Sequence, residues 1–190
     1  MDHFYNNIEG WFSESDKNIY DRMVDKYQNG DIFVEVGSFK GRSSSIMAVD
    51  IVNSNKDIQF YCVDTWLGSE EHQKGALVED KDVVNGELLD IFLNNTKSVS
   101  GYITPIQKTS VEAANQFSDK SLSFVFIDAS HDYENVKSDM LAWYPKIKSN
   151  GTLAGHDWPY PPIVKAVTEF AEKNDLLINV SDSIWEILVN

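Results

Sequence analysis

Four side chains in the second half of the 190-residue chain set acids beside imidazoles: Asp128 and His131 in the run FIDASHDY, and His156 and Asp157 in GHDW. Each pair follows a strand-like apolar run, so the four can converge at one edge of a sheet. An oxygen-rich site of this kind suits a hard divalent ion such as magnesium. Asp128 and Asp157 are the preferred ligands, with His156 beside them. The bland alternatives are that Asp128 or Ser130 caps a helix beginning near Tyr133, and that His131 is a surface loop histidine.

A second constellation is FVEVGSFKGRSS, residues 33–44, where a strand-like run meets two glycines four residues apart. This is neither the G-x-G-x-x-G of a dinucleotide fingerprint nor the G-K-[ST] ending of a phosphate loop, so a pyrophosphate ligand is disfavoured. Gly37 lets the backbone approach a ligand closely, and Gly41 lets the next helix start tightly. About 27 residues past Gly37, directly after the next strand, VDTW supplies Asp64. An acid there can accept hydrogen bonds from ribose hydroxyls, although alone it is equally a turn or helix-cap residue. Together the glycines and the acid indicate a nucleoside ligand without phosphates, of which S-adenosylmethionine is the common one.

These residues need a scaffold. Strand-like runs stand at 31–36, 58–63, 101–107, 122–127 and 151–155, followed by LLINV and IWEILV near the end. Helix-like segments lie at about 42–54, 85–95, 110–117, 133–148 and 162–174. Continuous apolar strands alternating with helices predict a doubly wound α/β sheet, mostly parallel. The last two strands are separated only by SDS, too short for a crossover, and are expected to form an antiparallel hairpin. The whole chain, 1–190, reads as a single domain, with 1–30 as an N-terminal cap and 68–95 as a lid-like insertion whose least regular part is 68–86. In such sheets ligands sit beyond the carboxyl ends of the strands, where every residue named above falls.

The formal charge of -14 disfavours nucleic acid, whose binding relies on lysine and arginine contacts to phosphates. No apolar run reaches the length of a membrane span, and MDHFYNNIEG is no secretory signal, so the expectation is a cytoplasmic protein with no membrane partner. The single cysteine, Cys62, lies in an apolar run and reads as a core residue, which excludes an internal disulfide and a thiolate zinc cluster. Self-association into a homo-oligomer is left open.

The run E-x-G-x-x-x-G-x-S at Glu35–Ser43, the acid Asp64 and the closing strand pair resemble the class I S-adenosylmethionine-dependent methyltransferases, over nearly the whole chain. The resemblance implies a Rossmann-like seven-stranded sheet ending in the antiparallel hairpin. It places Gly37, Ser38 and Gly41 at the methionine end, Asp64 at the ribose and Thr109 or Ser110 beside the adenine. Glu35, Ser43 and Asp128 join this set of cofactor residues, and Trp66, or else Trp158, covers the adenosine or the acceptor.

The resemblance narrows at D-x-S-H-x-Y, Asp128–Tyr133, followed by an acidic position after the next strand. It is similar to small metal-dependent O-methyltransferases of the family 24 type, including those acting on macrolide sugars. It implies that Asp128 binds the metal, that His131 acts as the base, and that the acceptor is a small-molecule or sugar hydroxyl. The chain departs from the pattern at His156, where a carboxylate is usual, which shifts preference from magnesium toward manganese or iron. Two other readings are a non-catalytic adenosyl-ligand or saccharide-binding module, which the Asp128/His131 pair argues against, and a nicotinamide-dependent oxidoreductase, which the missing third glycine argues against.

Overall fold

The computed structural model describes residues 1–76 and 78–189, so Leu77, within the expected lid, lies outside the described residues. Seven strands form one sheet in the order β3-β2-β1-β4-β5-β7-β6. These are β1 Ile32–Val36, β2 Gln59–Asp64, β3 Thr104–Gln107, β4 Leu122–Ile127, β5 Ile147–Gly155, β6 Ile178–Ser181 and β7 Ile184–Leu188. The first five run parallel, whereas β7 pairs antiparallel with both β5 and β6. The expected α/β sheet with its closing hairpin is therefore present.

The helices are α1 Glu14–Lys26, α2 Arg42–Ser54, α3 Lys81–Asn85, α4 Leu88–Asn95, α5 Ser110–Ala114, α6 Tyr133–Trp143 and α7 Pro161–Lys173. One apolar layer packs α1, α2 and α4 on the sheet through Tyr20, Met23, Ile46, Met47 and Phe92. The opposite layer packs α5, α6 and α7 through Ala113, Met140, Trp143, Val167 and Phe170. Strand β4 is buried along its whole length, as a central strand covered on both faces must be.

Several boundaries differ from the sequence reading for local reasons. The helix expected over 133–148 ends at Trp143, because Pro145 cannot continue it, and β5 begins at Ile147. The helix expected over 85–95 is split at Gly86, which adopts φ 73°. Helix α1 was not expected at all. It starts at a capping box in which Ser13 and Asp16 satisfy each other's backbone amides, and it buries Ile19, Tyr20, Met23 and Val24.

Candidate functional site

The parallel register brings five strand ends to one rim. Each ladder continues one residue beyond its strand: Gly37 N donates to Val63 O at 2.8 Å, Asp128 N to Val36 O at 2.8 Å, His156 N to Ile127 O at 3.1 Å and Lys108 N to Asp64 O at 3.1 Å. Backbone pairing therefore fixes the starting points of the glycine turn, the Asp128 loop and the His156–Asp157 loop relative to one another. The order of the sheet reverses between β1 and β4, the place where an open α/β sheet forms its crevice.

At the β1 end, Gly37 has φ 93°, and a Cβ there would collide with the backbone of Asp128 and lie 2.7 Å from Ala129 Cα. No side chain fits, so the turn lies directly on the loop after β4. Asp64 holds the turn from the other side: Ser38 N and Phe39 N donate to its Oδ2 at 2.9 and 2.8 Å, and Trp66 N donates to Oδ1 at 2.7 Å. A carboxylate has about four lone-pair sites, so these three amides leave capacity for about one more donor, on Oδ1.

Glu35 lies beneath the turn. It is fully buried and accepts from Tyr20 Oη at 2.7 Å, from Ser38 Oγ at 2.8 Å and from Ser44 Oγ, with Ser43 also bonded to it. Burial pushes its carboxyl upward, against the hydrogen bonds of the serines and the tyrosine. Gly41 is the residue before α2, at φ 90°, and packs on Thr96 and Phe92. Trp66 is buried against Phe92, with ring centroids 4.8 Å apart, and its Nε1 donates to Phe39 O at 3.0 Å. Of the residues expected at the cofactor, Gly37, Ser38, Ser43, Asp64, Thr109, Ser110 and Asp128 line the cleft. Glu35, Gly41 and Trp66 support it from behind.

At the β4 and β5 ends, Asp157 bridges two imidazoles. Its Oδ2 lies 2.9 Å from His131 Nε2 and its Oδ1 3.2 Å from His156 Nδ1. Asp128 Oδ1 lies 3.7 Å from the same His156 nitrogen. The far side of His156 faces α1, with Nε2 3.3 Å from Asp16 Oδ2. The capping alternative for Asp128 and Ser130 does not hold, because Asp132 caps α6 by accepting from Asn135 N at 3.0 Å.

Protonation follows from this packing. Burial lowers His156, but Asp157, Asp16 and Asp128 outweigh it and raise it to about 10, so it is an imidazolium at neutral pH. Burial pushes Asp128 up to about 7, reinforced by Asp157 and Glu35. Asp157 is half-buried, which raises it, yet its bonds to His131 and His156 hold it well below the usual carboxylate range.

One donor atom each from Asp128, His131 and Asp157 lies within 4.8 Å of the others, a spacing that fits a divalent ion. His156 stands outside that set. It lies near both carboxylates, but as an imidazolium held by Asp16, Asp128 and Asp157 it has no lone pair to give a metal, so the imidazole of the set is that of His131.

A family model described as a methyltransferase domain matches residues 34–158. The chain belongs to this methyltransferase family. An uncharacterized protein of Sinorhizobium fredii, y4gI, is 25% identical over 124 residues, which is 65% of this chain and 13% of that relative. The chain thus spans about an eighth of the curated relative's length.

Among solved structures, the O-methyltransferase NovP superposes with a TM-score of 0.66 at 15% identity, over 92% of this chain and 79% of NovP. The precorrin-6y C5,15-methyltransferase of Geobacter metallireducens gives 0.69 at 12% identity, over 97% and 95% of the two chains. SMU.1697c of Streptococcus mutans, solved in complex with SAH, gives 0.64 at 8% identity, over 94% and 99%. At these identities the likeness is one of fold. The family assigns the chain to the class I S-adenosylmethionine-dependent methyltransferases.

The cleft has a volume of about 1420 Å³. A pocket for one drug-sized ligand is roughly 300–1,000 Å³, so the cleft has room for more than one small molecule. At the β3 end Thr109 caps α5, and Ser110 Oγ accepts from Trp143 Nε1 at 2.9 Å. Two residues of the site were missed in the sequence, Asp139 on the cleft wall and Asp16 behind it. Asp139 is buried on α6 and pushed up to about 6 by burial. Asp16 lies behind His156, and its signal was the S-x-x-D of the α1 capping box. Among the described residues no helix is long and apolar enough to cross a membrane.

Proposed function

We propose that the protein transfers a methyl group from S-adenosylmethionine to an oxygen of a small-molecule or sugar hydroxyl. The observation that carries this is the convergence of Asp128, His131 and Asp157 on the cleft wall beside the Gly37 turn. The donor site is Gly37, Ser38, Ser43 and Asp64, with Thr109 and Ser110 at the adenine end. When bound, S-adenosylmethionine supplies a sulfonium methyl open to in-line attack, a reaction whose rate depends on alignment.

The acceptor loses its proton to His131. Asp157 holds that ring at Nε2 and stabilises the imidazolium formed. NovP is an O-methyltransferase of the same fold, which favours oxygen as the acceptor atom. The cleft wall carries Glu9, Glu70, Asp132, Asp139 and Asp157, which favours a neutral or cationic acceptor over a phosphorylated one.

A second reading is favoured by the 4.8 Å grouping itself: Asp128, His131 and Asp157 hold a divalent ion, manganese before magnesium, with His131 as ligand and not base. When bound, such an ion supplies acidification and orientation of the acceptor hydroxyl. Methyl transfer to a panel of neutral and amino sugars and phenols, before and after exhaustive chelation, separates the two. Turnover that survives chelation supports the base. Turnover lost on chelation and restored by manganese supports the ligand set, and no transfer to any hydroxyl with the cofactor bound contradicts both.

A further inference from the structure

Two consecutive residues of the glycine turn reach out of it to the same two covers. The Lys40 ammonium, on a residue only 3% exposed, lies 2.8 Å from Glu9, 2.9 Å from Asp80 and 2.7 Å from Asp82. The Phe39 ring lies 5.3 Å from Trp11 and 5.8 Å from His72, and Trp11 and His72 stack on each other at 5.5 Å. Glu9 and Trp11 belong to the segment before α1. His72, Asp80 and Asp82 belong to the connection between β2 and α4. Each turn residue thus holds both covers, one by charge and one by aromatic contact.

Both covers line the cleft, through Glu9–Phe12 on one side and Gly68, Ser69, Glu70 and His72 on the other. Glu9, Asp80 and Asp82 would repel one another if the ammonium were displaced, so beside the Trp11–His72 stack the acidic faces of the two covers meet only where Lys40 stands. Where Lys40 stands is set by the turn, whose neighbouring amides, at Ser38 and Phe39, are fixed by Asp64. The residue that positions the ribose end of the donor site therefore also positions the clasp.

We propose that Lys40 is a positioning residue that couples occupancy of the donor site to closure of two covers over the acceptor, the N-terminal segment at Glu9–Phe12 and the β2–α4 connection at residues 68–76 and 78–86. This rests on the reading of the cleft as an S-adenosylmethionine site. Coupling of two equilibria is reciprocal, so whatever the ligand does for closure, closure does for the ligand. The probe is S-adenosylhomocysteine, with affinity read by calorimetry and closure read by tryptic cleavage after Lys74, an exposed residue of the connection.

In wild type the ligand should slow that cleavage at least about fivefold. In Lys40→Met the slowing should vanish and the affinity should fall by the same factor, while Lys40→Arg restores part of both. A merely structural role would speed cleavage with and without ligand and leave the ratio unchanged. Should Lys40→Met fail to fold, Asp82→Asn keeps two of the three carboxylates and must show a smaller loss of the same sign in both readouts. Equal slowing in wild type and variants, or ligand binding to wild type with no change in cleavage, overturns the coupling alone. No ligand binding to wild type overturns both the coupling and the methyltransfer reading.

Discussion

The two ends of the cleft are built on opposite plans. At the β1 and β2 ends the polar groups answer one another within short hydrogen bonds: Asp64 accepts three backbone amides, and Glu35 accepts three serines and a tyrosine. At the β4 and β5 ends acids and imidazoles are crowded together, and their protonation is displaced far from ordinary values. The first arrangement fixes a shape and suits a ligand that must be held still. The second stores proton affinity and suits a group that must react.

If that contrast is real, substitutions at the two ends should fail differently. The largest effect is expected for His131→Ala, which should lower turnover roughly 10²–10⁴-fold with cofactor affinity unchanged, as steady-state kinetics with calorimetry would measure. Near-normal turnover would remove His131 from the chemistry. Gly37→Ala should do the reverse. Its Cβ runs into the Asp128–Ala129 backbone at φ 93°, so the turn must move, at a cost on the order of 3 kcal/mol in denaturant unfolding and with loss of cofactor binding.

His156 sharpens the comparison through pH. Its folded pKa of about 10 lies above its ordinary 6.5, so the stability it contributes is complete below pH 6.5 and is lost as pH rises toward 10. Asp128, raised to about 7 from 3.8, acts with the same sign over a lower range. Unfolding measured across this span should show stability falling with pH in wild type. In His156→Gln the fall above pH 6.5 should flatten, from a starting point roughly 3 kcal/mol lower, because Asp16, Asp128 and Asp157 lose their counter-charge. A variant with the wild-type slope would place the titration elsewhere. The smallest effect belongs to Trp66→Phe, which removes only the bond from Nε1 to Phe39 O and should cost about 1 kcal/mol in thermal unfolding, with cofactor affinity changing little.

The difference between the two ends also decided what could be read in advance. The glycine turn is local: strand, Gly37, Gly41 and helix follow one another in sequence, and their spacing carries the conformation. The sheet was legible for the same reason, since its strands are continuous apolar runs. Asp64 was expected just after the second strand and is its last residue, but its work in holding the Ser38 and Phe39 amides shows only once the turn is folded over it. At the other end the residue types were legible and their pairing was not. Whether His131 or His156 stands with Asp128 and Asp157 depends on Asp16, which is brought in by a helix distant in sequence. Helix α1 itself was missed although Ile19, Tyr20, Met23 and Val24 carry its spacing, because its remaining positions are so polar.

The central claim is that the cleft binds an adenosyl donor through the turn that Asp64 holds. It is tested most directly by calorimetric titration of S-adenosylhomocysteine into wild type and Asp64→Ala. Binding to wild type that is lost in the variant is the expected result. Failure of wild type to bind, or equal binding by the variant, would contradict it.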